Sequence, residues 1–79
     1  MTVRVLPDGT ITCEGTCAIE DADKLQQYLL ADPGATVDWR TCAAAHTAVL
    51  QVLLARRPAL LGPPLSEFLK IHIEPLLAR

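Results

Sequence analysis

The sequence predicts a small α/β domain in which helices cover a mixed β-sheet. Two observations favour this class. An alternating stretch with turn residues at its middle predicts an N-terminal hairpin, and two short apolar strands then alternate with three helical patterns. A hairpin followed by such alternation gives a mixed sheet with the element order β-β-α-β-α-β-α. The 79 residues, 51% of them hydrophobic, are expected to form one domain over residues 1–79.

The predicted hairpin covers residues 3–13. Val3 and Val5 are followed by Ile11 and Cys13 in the same every-second-residue spacing, which is typical of strands with one buried face. Between them, the sequence PDGT supplies turn chemistry, because proline fixes φ and glycine accepts a positive φ. These residues therefore indicate two antiparallel strands.

Two helices are predicted on either side of a short strand, ATVDW, at residues 35–39. The first helix covers residues 18–32, stops at DPGA and carries an apolar face made of Ile19, Ala22, Leu25, Leu29 and Leu30. The second contains residues 47–57, TAVLQVLLARR, and ends at Pro58. A last strand, ALL at residues 59–61, then follows. The right-handed crossover rule makes this strand parallel to the strand at 35–39, and Trp39 is expected in the core.

A third helix is predicted over residues 65–79. Ser66 is placed to cap it, and Pro75 is expected to kink or split its last turn. Helical spacing places four apolar residues on one face: Leu69, Ile73, Leu76 and Leu77. His72 is therefore expected at the surface.

Charge and composition argue against several classes of protein. Seven basic and nine acidic residues give a formal net charge of −2, whereas nucleic-acid binders usually carry a basic stripe. No apolar run approaches the roughly 18 residues of a membrane span. Residues 1–6 are too short for a signal peptide, so the three cysteines are expected to be reduced thiols in the cytoplasm.

A polar break before the second helix carries the candidate site, which we define as Arg40, Thr41, His46, Thr47 and Gln51. Thr47 is either a phosphoacceptor or partner contact, or a residue at the helix cap or in its first turn. His46 is either a pH-responsive or metal-binding imidazole, or an exposed polar residue at the junction. Asp38 ends a strand without a second carboxylate, base or phosphate-binding loop, so no catalytic site is predicted.

Three thiols and one imidazole also allow a zinc site. Cys13 and Cys17 are four residues apart, as are Cys42 and His46, and these are the ligand types of a tetrahedral zinc centre. The alternative is that the cysteines are small buried apolar residues, because Cys13 and Cys17 also fit the apolar pattern of a strand and a helix start.

The element order and the junction resemble the STAS domain, which is named for sulfate transporters and anti-sigma-factor antagonists. The sequence CEGTCAIEDADKL is similar to the family's turn from hairpin into first helix, and Val37-Asp38-Trp39 to its hydrophobic-Asp-hydrophobic triplet. The family's Asp-Ser-Ser/Thr-Gly motif aligns with residues 46–49, and LQVLL with the helix that follows. In the antagonist members a partner kinase phosphorylates the third motif residue, which is Ala48 here. The only hydroxyl is Thr47, one position early.

This resemblance implies a non-enzymatic regulatory module of the bacterial cytoplasm that docks another protein, without a cofactor and without the serine switch. The implied partners are a kinase-like regulator, a sensor component or a transporter ATPase, and a homodimer is compatible with the sequence. One alternative is a soluble accessory subunit of a lipid-transport ABC ATPase, whose lone-domain form is similar. A second is a small zinc-stabilised domain.

Overall fold

The structure, a computed structural model, describes residues 2–77. The described chain contains six short strands: β1 (Val3–Val5), β2 (Ile11–Cys13), β3 (Gly15–Cys17), β4 (Thr36–Asp38), β5 (Cys42–Ala45) and β6 (Ala59–Leu61). Its two longer helices are α1 (Ile19–Ala31) and α2 (Thr47–Arg56). A C-terminal helical segment begins at residue 67 and comprises a π-helical turn (Leu69–Ile73) followed by α3 (Glu74–Leu77).

The main sheet has four strands in the order β1-β2-β4-β6. The β1–β2 pair is antiparallel, whereas β2–β4 and β4–β6 are parallel. The prediction of a mixed sheet, and of parallel strands flanking the second helix, is therefore confirmed. The hairpin turn also has the predicted chemistry: Gly9 has a φ of +92°, and the Asp8 carboxylate accepts a hydrogen bond from the Thr10 N–H at 2.9 Å.

The helices cover one face of this sheet. Val3, Ile11 and Val37 share that face through their register and are all buried. Helices α1 and α2 pack against each other. This contact agrees with the right-handed rule for parallel crossovers, which puts both helices on one side of strands in the order β2-β4-β6. The opposite face is more exposed, since Arg4 and Leu61 both reach solvent there. The domain is thus two layers deep, with its core between sheet and helices.

The predicted apolar face of the first helix is wrong at both ends. Ala22, Leu25 and Leu29 are buried, but Ile19 and Leu30 are 57% and 55% exposed. The buried residues follow the spacing of three and four that one helix face requires. By helical spacing, Ile19 and Leu30 lie on the flank of this stripe rather than within it.

A second, two-stranded sheet was not predicted. Strands β3 and β5 pair in parallel, with Gly15 opposite Cys42 and Cys17 opposite Ala45. The strand at 35–39 therefore does not run directly into the second helix, because β5 intervenes. This small sheet ties the end of the hairpin to the start of α2.

Ser66 caps the C-terminal segment as predicted, but part of the segment is a π-helix rather than an α-helix. Ser66 Oγ accepts a hydrogen bond from the Leu69 N–H at 3.3 Å. The Glu74 N–H donates to the Leu69 carbonyl, five residues back, which is the π-helical pattern. The wider turn stands just before Pro75, which has no N–H for the Ile71 carbonyl.

The π-helical turn changes which residues face the core. Leu69 and Leu77 are buried and Ile73 is half-buried, so residues four apart share the inner line. The prediction for Leu76 is wrong, because this side chain is 42% exposed. His72 is exposed, as expected. Residues 78 and 79, which the predicted helix includes, lie outside the described residues.

Candidate partner-docking site

The candidate site lies between the end of β4 and the first turns of α2. Trp39 turns into the core, and its carbonyl accepts the Cys42 N–H at 2.9 Å, so the chain bends sharply into β5. At the other end of β5, the His46 N–H donates to the Cys17 carbonyl at 2.9 Å and α2 begins. All five predicted residues are exposed: Arg40, Thr41, His46, Thr47 and Gln51. We call this set the junction surface.

Arg40 is held in place by Asp38. Its Nη2 lies 2.9 Å from Asp38 Oδ2 and its Nε lies 3.1 Å from Oδ1, while the Arg40 backbone N–H also donates to Oδ1 at 3.0 Å. The side-chain hydrogen bonds from Arg40 lower the pKa of the Asp38 carboxyl, and the same contact raises the pKa of Arg40. The Asp38 carboxylate therefore holds the exposed guanidinium of Arg40 in one orientation. The sequence analysis did not predict this ion pair. An Asp and an Arg two residues apart at the end of a strand would have indicated it.

His46 caps α2. Its Nδ1 accepts a hydrogen bond from the Ala48 N–H at 3.0 Å, and its backbone is extended, as an N-cap requires. The Nδ1 atom of His46 therefore faces its own helix. Thr47 is the first residue of α2 rather than its cap. The interpretation of Thr47 as a phosphoacceptor or partner contact stays a prediction.

Two substitutions of the capping residue His46 are expected to change the free energy of unfolding in opposite directions. The variant His46→Ala leaves the Ala48 N–H without its partner, and we expect a loss of about 1 kcal/mol in the free energy of unfolding. The variant His46→Asp supplies a stronger acceptor and a negative charge at the positive end of the helix dipole, so we expect a gain of about 0.5–1 kcal/mol. Urea unfolding followed by Trp39 fluorescence measures both. Equal stabilities of the two variants would contradict the capping role.

A groove runs beside the junction surface, between α1 and α2. Its volume is about 330 Å³, and its lining includes Asp23, Gln26, Ala48 and Gln51. Gln51 therefore belongs both to the groove and to the junction surface. Ala48, the residue aligned with the phosphorylated serine, is half-buried in the same groove.

The three cysteines lie in the core. Cys13, Cys17 and Cys42 are free cysteines, each 1% exposed, and the Cys17 thiol interacts with the other two. His46, the fourth predicted zinc ligand, is exposed and its Nδ1 is engaged with Ala48. Within residues 2–77, no three His, Cys, Asp or Glu side chains are arranged to hold a metal ion. The interaction with Cys13, together with burial, raises the pKa of Cys17 to about 12, and contact with Cys17 and burial raise the pKa of Cys42.

Because the pKa values of Cys17 and Cys42 are raised, we expect the free energy of unfolding to fall at alkaline pH. Because the folded-state pKa of Cys17 is raised, its stabilising effect is fully present below the unfolded pKa of about 8.5 and decreases as pH rises from there towards the folded value. Each thiol contributes a slope of up to about 1.4 kcal/mol per pH unit. We expect urea unfolding to show a loss of about 1–2 kcal/mol for each of the two thiols, or about 2–4 kcal/mol together, between roughly pH 8.5 and pH 10. The variant Cys17→Ala is the control and should show a shallower slope; an unchanged slope would refute the assignment.

Together the sheet, helices and junction define a small two-layer α/β domain. Comparison of the chain with protein-family models, curated proteins and solved structures gives no match. The STAS resemblance therefore rests on the sequence pattern and stays a prediction. Among the helices of residues 2–77, none is long and apolar enough to cross a membrane.

Proposed function

We propose that this chain is a non-enzymatic regulatory module of STAS type that docks another protein through the junction surface and the neighbouring groove. The observation that carries the proposal is that all five junction residues are exposed between the end of β4 and the second turn of α2. Arg40 and Thr41 lie at one end of β5, and His46 and Thr47 lie at the other. The domain presents guanidinium, hydroxyl, imidazole and amide groups there, which suit a polar interface.

The local contacts support docking rather than catalysis. The Asp38 carboxylate is engaged by Arg40, and His46 Nδ1 accepts a hydrogen bond from its own helix, so both groups hold the surface in place. The small β3–β5 sheet fixes the start of α2 against the hairpin. A surface held in this way changes little when a partner binds, which lowers the entropy cost of association. Because Ala48 lacks a hydroxyl, the interaction is constitutive or is controlled elsewhere.

Affinity purification from the native host with quantitative mass spectrometry tests the proposal. The bait is the full chain, and the test variants are Arg40→Glu and Thr47→Glu. Each places a negative charge in the interface, and we expect recovery of a specific partner to fall at least about tenfold, which corresponds to about 1.4 kcal/mol. The intact mass of the purified bait also reports whether Thr47 is phosphorylated.

Two control variants match these changes outside the junction surface. Arg56→Glu makes the same charge reversal at the other end of α2, and Gln27→Glu adds one negative charge to an exposed position of α1. Both should retain the partner. Equal recovery by wild type and both junction variants would remove the junction surface from the interface.

A further inference from the structure

One flank of α1 carries a line of exposed residues with apolar side chains at both ends. Ile19 and Leu30 are 57% and 55% exposed, and the exposed Asp23 and Gln26 lie between them. Spacings of four, three and four residues place all four on one side of the helix, beside the buried stripe. These are the spacings of the a and d positions in a helix that packs lengthwise on another helix. We call these four residues the α1 seam.

The α1 seam borders the space between α1 and α2. Asp23 and Gln26 line the groove of about 330 Å³ beside the junction surface, and Leu30 lines a neighbouring cavity of about 200 Å³. Ala55 lines both, so the two spaces adjoin and follow the seam over most of its length. A helix that lies on the seam therefore finds room for its side chains between α1 and α2.

We propose that the α1 seam packs on the α1 seam of a second copy of this chain, with the two helices antiparallel about a two-fold axis at the level of Leu25. In an antiparallel helix pair, a positions face d positions. Ile19 of each copy then meets Leu30 of the other, and Asp23 of each copy meets Gln26 of the other. The exposed apolar side chains are thereby covered, and the Gln26 amide donates a hydrogen bond to the Asp23 carboxylate.

The symmetry of the seam selects a second copy as its occupant. The two apolar residues stand at its ends, and the carboxylate and the amide stand at equal distances from its middle. Reversing the helix therefore places an apolar residue on an apolar residue and a hydrogen-bond acceptor on a donor. All four positions of the seam are satisfied by the seam itself.

Charge selects the antiparallel direction. Seam residues of a parallel pair face their own copies, so Asp23 would lie against Asp23, and the acidic first turn with Glu20 and Asp21 would lie beside its copy. Antiparallel packing separates the two acidic turns and carries each to the end of α1 where Arg56 lines the cavity. Within residues 2–77, neither Asp23 nor Arg56 takes part in an ion pair. The charges therefore complement each other in this direction alone.

The contact is small, so the dimer is expected to be weak. The 13 residues of α1 make a helix about 20 Å long, which buries less than the roughly 800 Å² per partner of a standard interface. We expect a dissociation constant on the order of 100 µM.

The dimer covers the groove that contains Gln51, a member of the junction surface. One consequence rests on the proposed function: dimerisation and docking of a partner in the groove exclude each other, and the monomer is the docking form. Dilution of the chain then exposes the groove, and a rise in its concentration covers it.

Sedimentation velocity of the purified full chain from roughly 10 µM to 1 mM tests the dimer in the absence of any partner, so its failure leaves the proposed function untouched. Wild type should shift from monomer to dimer over this range, and Ile19→Glu should remain monomeric. Glutamate in the first turn suits the helix dipole, so this variant should stay folded, as circular dichroism checks.

Ile71→Glu is the matched control. Ile71 is 58% exposed on the C-terminal segment, outside the α1 seam, so this variant should dimerise like wild type. A wild type that stays monomeric at all concentrations overturns the proposal. Dimerisation of Ile19→Glu with the affinity of wild type, or equal loss of the dimer in the Ile71 variant, also overturns it.

Substitutions of Gln26 identify the pairing itself. Gln26→Lys places a cation opposite Asp23 of the other copy, and we expect dimerisation at least about threefold tighter than wild type. Gln26→Asp places two carboxylates together and should weaken the dimer at least about tenfold. The double variant Asp23→Lys/Gln26→Asp restores opposite charges and should recover the dimer. If the two Gln26 variants dimerise equally, or the double variant does not recover, the antiparallel pair is refuted.

Discussion

The variant Trp39→Ala is expected to lose most of the folded population at room temperature. Trp39 is 1% exposed and belongs to the group of fully buried large side chains. Truncating a buried tryptophan costs about 3–5 kcal/mol, and a domain of this size has a total stability of the same order. Far-UV circular dichroism should therefore show a large loss of signal, and urea should give no clear folded baseline. A cooperative transition close to that of wild type would contradict the central position of Trp39.

The conservative variant Trp39→Phe separates the indole N–H from the bulk of the ring. Trp39 Nε1 is buried and has no hydrogen-bond partner among residues 2–77, and a buried unpaired donor costs about 1–3 kcal/mol. Phenylalanine removes this unpaired donor and keeps one aromatic ring. The free energy gained by removing the donor therefore partly offsets the cost of the small cavity that is left. We expect a change in the free energy of unfolding of less than about 1.5 kcal/mol. A loss as large as that of Trp39→Ala would contradict this expectation and assign the stability to the full indole volume.

The variant Gly62→Ala is expected to lower the free energy of unfolding by about 1–3 kcal/mol. A Cβ atom at this position would lie 2.8 Å from Trp39 Nε1 and 2.5 Å from Glu74 Oε2. The Glu74 side chain can move away, but the buried indole cannot, so the backbone at Gly62 must shift away from Trp39. Urea unfolding monitored by Trp39 fluorescence measures the loss, and the folded-state emission should move to longer wavelength as water approaches the ring.

Gly34→Ala is the matched control for this prediction. The nearest atom to a Cβ at Gly34 is Asp32 Oδ1 at 3.7 Å, which is an ordinary contact. We therefore expect this variant to be neutral or stabilised by up to about 1 kcal/mol, because alanine restricts the unfolded chain. If Gly62→Ala and Gly34→Ala have the same free energy of unfolding, Gly62 is not packed closely against Trp39.

Much of the fold could be predicted from local patterns. Alternation at residues 3–13 and the PDGT turn predicted the hairpin, and spacings of three and four predicted α1 and α2. These signals are short-range, because each depends on residues within one strand pair or a few helical turns. The exposure of the junction surface was also predictable, since all its members are polar residues at a break between apolar segments.

The pairing of β3 with β5 could not be predicted in this way. Ala43, Ala44 and Ala45 are weak strand formers, and no alternation marks Gly15–Cys17 as a strand. Strand geometry arises there because the end of β2 and the end of β4 are neighbours in the main sheet, which brings two distant segments side by side. The capping role of His46 depends on the same arrangement, because its backbone N–H is held by Cys17 on β3.

The sequence by itself determined the α/β class, the positions of the four main strands and three helical segments, and the polar character of the junction surface. Only the tertiary structure decided the exposure of Ile19 and Leu76, the β3–β5 sheet and the π-helical turn. The physical reason is that burial depends on which surface a helix meets, and a turn widened by less than one residue rotates every side chain after it. That rotation turned Leu76 outward.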